Sequence, residues 1–118
     1  MVGMKSYVTY LMTLLDELCI DAHFVVGSKG GSALWRGIVR PIIVAPMPTG
    51  LISFAIAMHE IGHVQCMHGN SDLHGTTIDR ELEAWGWAEK QMRRDGWWND
   101  VVEAFMWQCL GSYEKVAE

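Results

Sequence analysis

The sequence predicts an α+β domain: one helix, a small sheet, then three further helices. Three observations predict it. Apolar residues recur at helical spacing before residue 21 and again after residue 50. Between them lies a Val- and Ile-rich stretch broken by glycines and prolines, which reads as strands. At 118 residues the chain suffices for one core and not for two, so residues 1–118 are read as a single domain.

The first helix is expected from Met4 to Ile20, with Tyr7, Leu11, Leu14, Leu15 and Leu18 on its apolar side. Residues 22–27, Ala-His-Phe-Val-Val-Gly, read as a short strand that ends in the Gly27–Ser32 loop. From Ala33 to Ala45 the chain is strand-like but contains Pro41, which cannot donate to a ladder. An edge strand, or two short strands with a bend, is therefore expected. Pro46–Gly50 is a turn. A helix then runs from Leu51 to about His68, with Thr49 or Ser53 as its cap and Gly69-Asn70 as its stop. After the Ser71–Thr77 loop a third helix spans Ile78 to Arg94, capped by Thr77 or Thr76 and ended by Asp95-Gly96. Leu82, Trp85, Ala88 and Met92 form its apolar face. The last helix, about Trp98 to Tyr113, packs through Val101, Val102, Phe105, Met106 and Leu110.

A net charge of −5, with basic residues scattered, argues against a nucleic-acid partner, because phosphate-tracking surfaces need clustered Lys and Arg. Cys19, Cys66 and Cys109 are odd in number and far apart, so no disulfide framework or C-x-x-C knuckle is expected. Asp16 and Glu17 interrupt the leading apolar run, so it does not read as a signal peptide. Prolines and Gly50 break the stretch from Pro41 to Met58, which is too short to span a bilayer. A cytoplasmic setting with no membrane partner is the expectation.

Chemistry concentrates in His59-Glu60-Ile61-Gly62-His63. Histidines four apart project from one helix face, about 6 Å apart along the axis, and both reach one ion at about 2.0–2.1 Å. Glu60, beside the first histidine, is placed to work on a metal-bound water instead of binding the metal. H-E-x-x-H is for that reason a zinc-hydrolase motif. The apolar run Leu51–Met58 gives the pair a buried support, and Gly62 leaves room for another backbone to approach.

A catalytic zinc takes three protein ligands and keeps one position open. Asp79, Glu81, Glu83, His68 and His74 are candidates for the third, and Asp72 in the loop is another. A packed helix holds a ligand more firmly than a loop does, which favours the three acids of the third helix. Glu81 lies beside that helix's apolar face and Glu83 is rotated toward solvent, so Glu81 is preferred and Asp79 stays as an alternative. His68 and His74 read as solvated loop or helix-end histidines, and Cys66 as a small buried residue. Trp85, Trp87, Trp97, Trp98 and Trp107 read as core aromatics before a substrate cleft.

His59-Glu-Ile-Gly-His63 followed by Glu81-Leu-Glu-Ala84-Trp85 resembles the gluzincin pattern, in which a second helix supplies a Glu with a small residue three positions on. The position four after the Glu is often Asp or Asn in that group and is Trp85 here. The similarity is to minimal zincins of the ImmA/IrrE type and to small phage or bacterial metallopeptidases, over roughly residues 36 to 92. The metzincin pattern fits worse, since the places of its Gly and third His are Cys66 and Gly69. An aspzincin reading through Asp79 misses that family's spacing by one residue. The resemblance implies a zinc metallopeptidase acting on a protein or peptide. Zn²⁺ on His59, His63 and Glu81 would activate a zinc-bound water, with Glu60 as general base. The strand around Ile42–Ala45, if an edge, would hold the peptide by strand addition. The competing expectation is a non-catalytic zinc-binding regulatory protein on the same scaffold.

Overall fold

The computed structural model describes residues 4–27, 31–36, 39–66 and 77–117. The elements run α1 (Met4–Leu18), β1 (Asp21–Val25), β2 (Ser32–Arg36), β3 (Val39–Pro46), α2 (Leu51–Gln65), α3 (Thr77–Arg94) and α4 (Asp100–Ala117). This is the α+β layout expected. No described helix is long and apolar enough to cross a membrane.

Helix α1 buries Tyr7, Leu11 and Leu15. It ends where Cys19 turns left-handed (φ 57°) and the Ile20 N–H donates to the Leu15 carbonyl at 2.9 Å. The sheet order is β1-β3-β2, with β1 parallel and β2 antiparallel to β3. The Val/Ile-rich region is thus two strands, but the one carrying Pro41 is central and not the expected edge. The register explains how the proline is tolerated. Pairing with β1 begins at Ile42, one residue beyond Pro41. On the other side the register shifts between Leu34↔Ile42 and Arg36↔Val39, so the ladder is irregular where Pro41 lacks its donor.

Helix α2 is apolar nearly all round because it is covered on most sides. It lies between the sheet, which offers Ile43 and Ala45, and helix α3, with Phe54, Ala57, Met58 and Ile61 fully buried. Its N-cap is Gly50, not Thr49 or Ser53. Ser53 stands at the third helical position, where its Oγ accepts from Gly50 N–H at 3.1 Å and donates to the Gly50 carbonyl at 3.0 Å. The helix ends at Gln65, short of the expected His68. Residues 67–76, with His68, Gly69-Asn70, Asp72, His74 and Thr76, lie outside the described residues.

Helix α3 buries Glu81, Ala84, Trp85, Ala88 and Met92, an i, i+3, i+4, i+7, i+11 stripe. The face is rotated from the one expected: Leu82 is 46% exposed and Glu81 takes a place in the stripe. Thr77 is the first helical residue of α3, where its Oγ1 accepts from Arg80. The helix stops at Gly96 (φ 80°), with Trp97 N–H donating to the Met92 carbonyl at 2.8 Å. Asn99 then caps α4 by accepting from the Val101 and Val102 amides at 2.9 and 3.1 Å, so α4 begins at Asp100 and not at Trp98. Val102, Met106 and Leu110 face inward, whereas Val101 is exposed against expectation. Trp97 joins Tyr7, Tyr10 and Phe54 in an aromatic cluster with ring centroids 4.9–5.8 Å apart. Trp107, expected in the core, is 58% exposed.

One contact between α2 and α3 positions everything that follows. A Cβ on Gly62 would run into the Ala84 carbonyl oxygen and stand 3.1 Å from the Ala84 Cα. The two backbones meet here because neither side chain keeps them apart. Gly62→Ala should therefore destabilise the fold by about 1–3 kcal/mol through overpacking. Gly86→Ala, on the open side of α3 with nothing within 4 Å, should stabilise it by up to about 1 kcal/mol through helix propensity. Urea unfolding of the two variants checks both signs.

Candidate metal centre

On α2, residues 52, 56, 59, 63 and 66 fall on one narrow stripe at about 100° per residue. His59 and His63 sit on it with side chains 12% and 15% exposed. Their rings are 4.6 Å apart and their Nε2 atoms 3.1 Å apart. Two ligands of a tetrahedral zinc, at metal–nitrogen distances of about 2.0–2.1 Å, would stand about 3.3 Å apart. The pair fits.

The Gly62–Ala84 contact sets α3 so that Glu81 reaches both rings. Its Oε2 is 2.5 Å from His59 Nε2 and its Oε1 is 3.2 Å from His63 Nε2. The structure thus brings together His59, His63 and Glu81, the acid preferred from its helical position. Asp79 and Glu83 are exposed and outside this group. Glu60, buried, also lies in the cluster: it has an oxygen within 4.8 Å of ligand atoms on both histidines. Its Oε1 approaches His59 from the Nδ1 edge, at 3.8 Å, whereas Glu81 lies against Nε2. Glu60 is therefore placed beside the convergence point and Glu81 on it.

Charge follows the same division. Burial alone would push Glu81 up, but hydrogen bonds from His59 and His63 outweigh it and hold its carboxyl down at about 2. Burial pushes Glu60 up to about 7, with the neighbouring Glu81 charge adding to the rise and His63 opposing it. Burial lowers His59 despite its hydrogen bond to Glu81, which keeps the imidazole neutral as a metal ligand must be. Two imidazoles and one carboxylate, converging within hydrogen-bond distance, suit a divalent cation of zinc's type.

Three neighbours were not anticipated. Trp85 stacks on His59, ring centroids 4.5 Å apart and planes 20° from parallel. A Cβ on Gly31 would stand 3.0 Å from Glu60 Oε2 and run into the Val44 carbonyl, so the chain entering β2 passes directly over the Glu60 carboxyl. Cys109 of α4 lies close enough for the Glu81 charge to reinforce the upward push that burial gives its thiol. Only Trp85 left a signal in the sequence, as the unusual residue four beyond Glu81. Cys66, at the end of α2, contacts the Glu83 carbonyl.

Comparison with protein-family models, with curated proteins and with solved structures returned no match to this chain.

The opposed carboxyls give a pH signature in metal-free protein. Glu60 has a folded value of about 7 against an ordinary 4.5, so its ionisation opposes folding. Relative to an uncharged side chain it is a burden above about pH 7 and no burden below about pH 4.5. Glu81 is the reverse: its stabilising contribution is complete above about 4.5 and fades as pH falls toward 2. Glu60→Gln should accordingly melt higher than the parent at about pH 8, and the gap should close by about pH 4. Thermal melts in chelator across that range measure it; a gap independent of pH would contradict the assignment.

Proposed function

We propose that this chain is a zinc-dependent metallopeptidase of minimal zincin type, with His59, His63 and Glu81 as zinc ligands and Glu60 as general base. The observation that carries the proposal is the convergence of both Nε2 atoms and both Glu81 oxygens, at 2.5–3.2 Å, with the Glu60 carboxyl beside them. Bound zinc would acidify water and polarise a carbonyl. The chain's own residues supply the rest. Glu60, with a value near 7, is matched to accept a proton near neutral pH and to return it to a leaving amine. Glu81 stays ionised and balances the cation. Gly31, with no side chain, lets the chain entering β2 lie close against the Glu60 carboxyl.

A peptide cannot add to β3, which is paired on both sides. The edge beside the site is β2, whose approach through Gly31 touches Glu60, and an extended peptide joining β2 would pass the ligands. An apolar cleft of about 520 Å³ opens on the same stripe of α2, lined by Ile52, Ile56 and Phe105 among others. It suits an apolar side chain of the substrate. A second reading, a non-catalytic zinc-binding regulatory protein, draws support from Val101 and Trp107, which expose apolar surface on α4.

Two experiments separate these readings. Glu81→Ala should lose zinc during dialysis against a weak chelator while Glu83→Ala keeps it, because the Glu81 oxygens lie 2.5 and 3.2 Å from the histidine Nε2 atoms and Glu83 is exposed. Equal loss from both variants would show that the third ligand is misassigned. Glu60→Gln should retain a full equivalent of zinc, yet cleave a mixed peptide library about 10²–10⁴-fold more slowly, the usual worth of general-base help. Mass spectrometry of the library reads the products. Unchanged cleavage would count against Glu60 as base, and a zinc-loaded parent that cleaves nothing favours the regulatory reading.

A further inference from the structure

We propose that Trp85 is a positioning residue for the metal centre, its indole face setting the plane of the His59 imidazole. The inference rests on the reading of His59, His63 and Glu81 as ligands. A ligand histidine usually has its second nitrogen held by a carboxylate or carbonyl, which fixes the ring. Here Glu60 Oε1 stands 3.8 Å from His59 Nδ1, beyond hydrogen-bonding range. What meets the ring instead is Trp85, nearly parallel at 20° with centroids 4.5 Å apart.

The indole is well placed to act as a fixed wall. It is 2% exposed and is met edge-on by Phe105 of α4, at 6.1 Å and 71°. Trp85 also lies four residues after Glu81, so both side chains project from one face of α3 toward the same histidine. One helix thus supplies the carboxylate at His59 Nε2 and the flat surface behind the ring. A stacked ring can slide, but it cannot tip without losing the contact, and tipping would swing Nε2 away from Glu81 and His63. The buried indole Nε1 has no hydrogen-bond partner among the described residues, so a hydrogen bond of its own does not account for Trp85 being a tryptophan. The flat face does.

The test compares a flat replacement with a non-planar one in the full chain, using zinc and cobalt(II) as probes. Trp85→Phe keeps a ring over His59 and should bind zinc within about threefold of the parent, with the cobalt absorption bands unchanged. Trp85→Leu keeps apolar volume without a face and should bind zinc about 10–100-fold more weakly, as losses of ligand support do, with shifted cobalt bands. A role confined to packing would not move that spectrum. Should the leucine variant fail to fold, Trp85→Met takes its place as a ringless apolar residue. Parent-like affinity and spectrum in a folded, ringless variant would overturn the inference alone, as would equal weakening by Phe and Leu. Absence of zinc and cobalt binding by the unaltered chain would overturn the ligand assignment and the inference together.

Discussion

The arrangement depends on how closely α2 and α3 approach. Helices ordinarily pack with axes about 8–10 Å apart, the lower end requiring small residues at the crossing. Gly62 faces the Ala84 backbone with no Cβ between them, and this crossing lies within one turn of every residue in the centre. His59 is three residues before Gly62 and His63 one after it. Glu81 is three before Ala84 and Trp85 one after it. Side chains so near the crossing have little freedom to compensate if the helices separate. A glutamate reaching two imidazoles at 2.5 and 3.2 Å has no slack for an added methyl group between the backbones.

Within that close space, two chemically identical side chains behave oppositely. Both Glu60 and Glu81 are buried. Burial raises Glu60 to about 7, whereas the two imidazoles more than reverse it for Glu81. Environments that drive like groups apart also divide their labour, because an acid held low stays charged and one held near 7 exchanges a proton readily. The division arises from helix geometry. Glu60 leaves α2 beside the histidine stripe, while Glu81 points at it from across the crossing.

Helices were legible because each repeats its apolar signal over several turns, and the two motif histidines follow from the period alone. Where the structure departs from the sequence pattern, the signal is local or balanced. Leu82 looked like a core residue because Leu82, Trp85 and Met92 make an acceptable stripe; shifting it by one residue makes Glu81, Ala84, Trp85, Ala88 and Met92 equally regular. Packing decides between them, since the Ala84 backbone comes up against Gly62 and turns that stripe inward. Pro41 suggested an edge because a missing donor argues against pairing on both sides. The strand escapes by starting its β1 ladder one residue later and by breaking register with β2. Neither device has a sequence signature. Gly31 stood in a glycine-rich tract that reads only as a flexible loop, and its contact with Glu60 exists only once β2 has paired with β3.

The proposed ligands and the proposed substrate surface belong to different parts of the fold. His59, His63 and Glu81 come from α2 and α3, joined through a rigid, buried crossing. The edge proposed for a peptide belongs to β2, whose approach through Gly31 lies against Glu60. A change confined to the β2 edge would then act on what reaches the proposed metal, and not on its ligands. The reverse does not hold, because α2 is the support on which the sheet packs, through Ile43 and Ala45. On the proposed reading, metal binding depends on the α2–α3 crossing, whereas catalysis depends on Glu60 and the sheet edge as well. It follows that metal content alone separates the catalytic and regulatory readings poorly, and that the proton-transfer role of Glu60 is where they part.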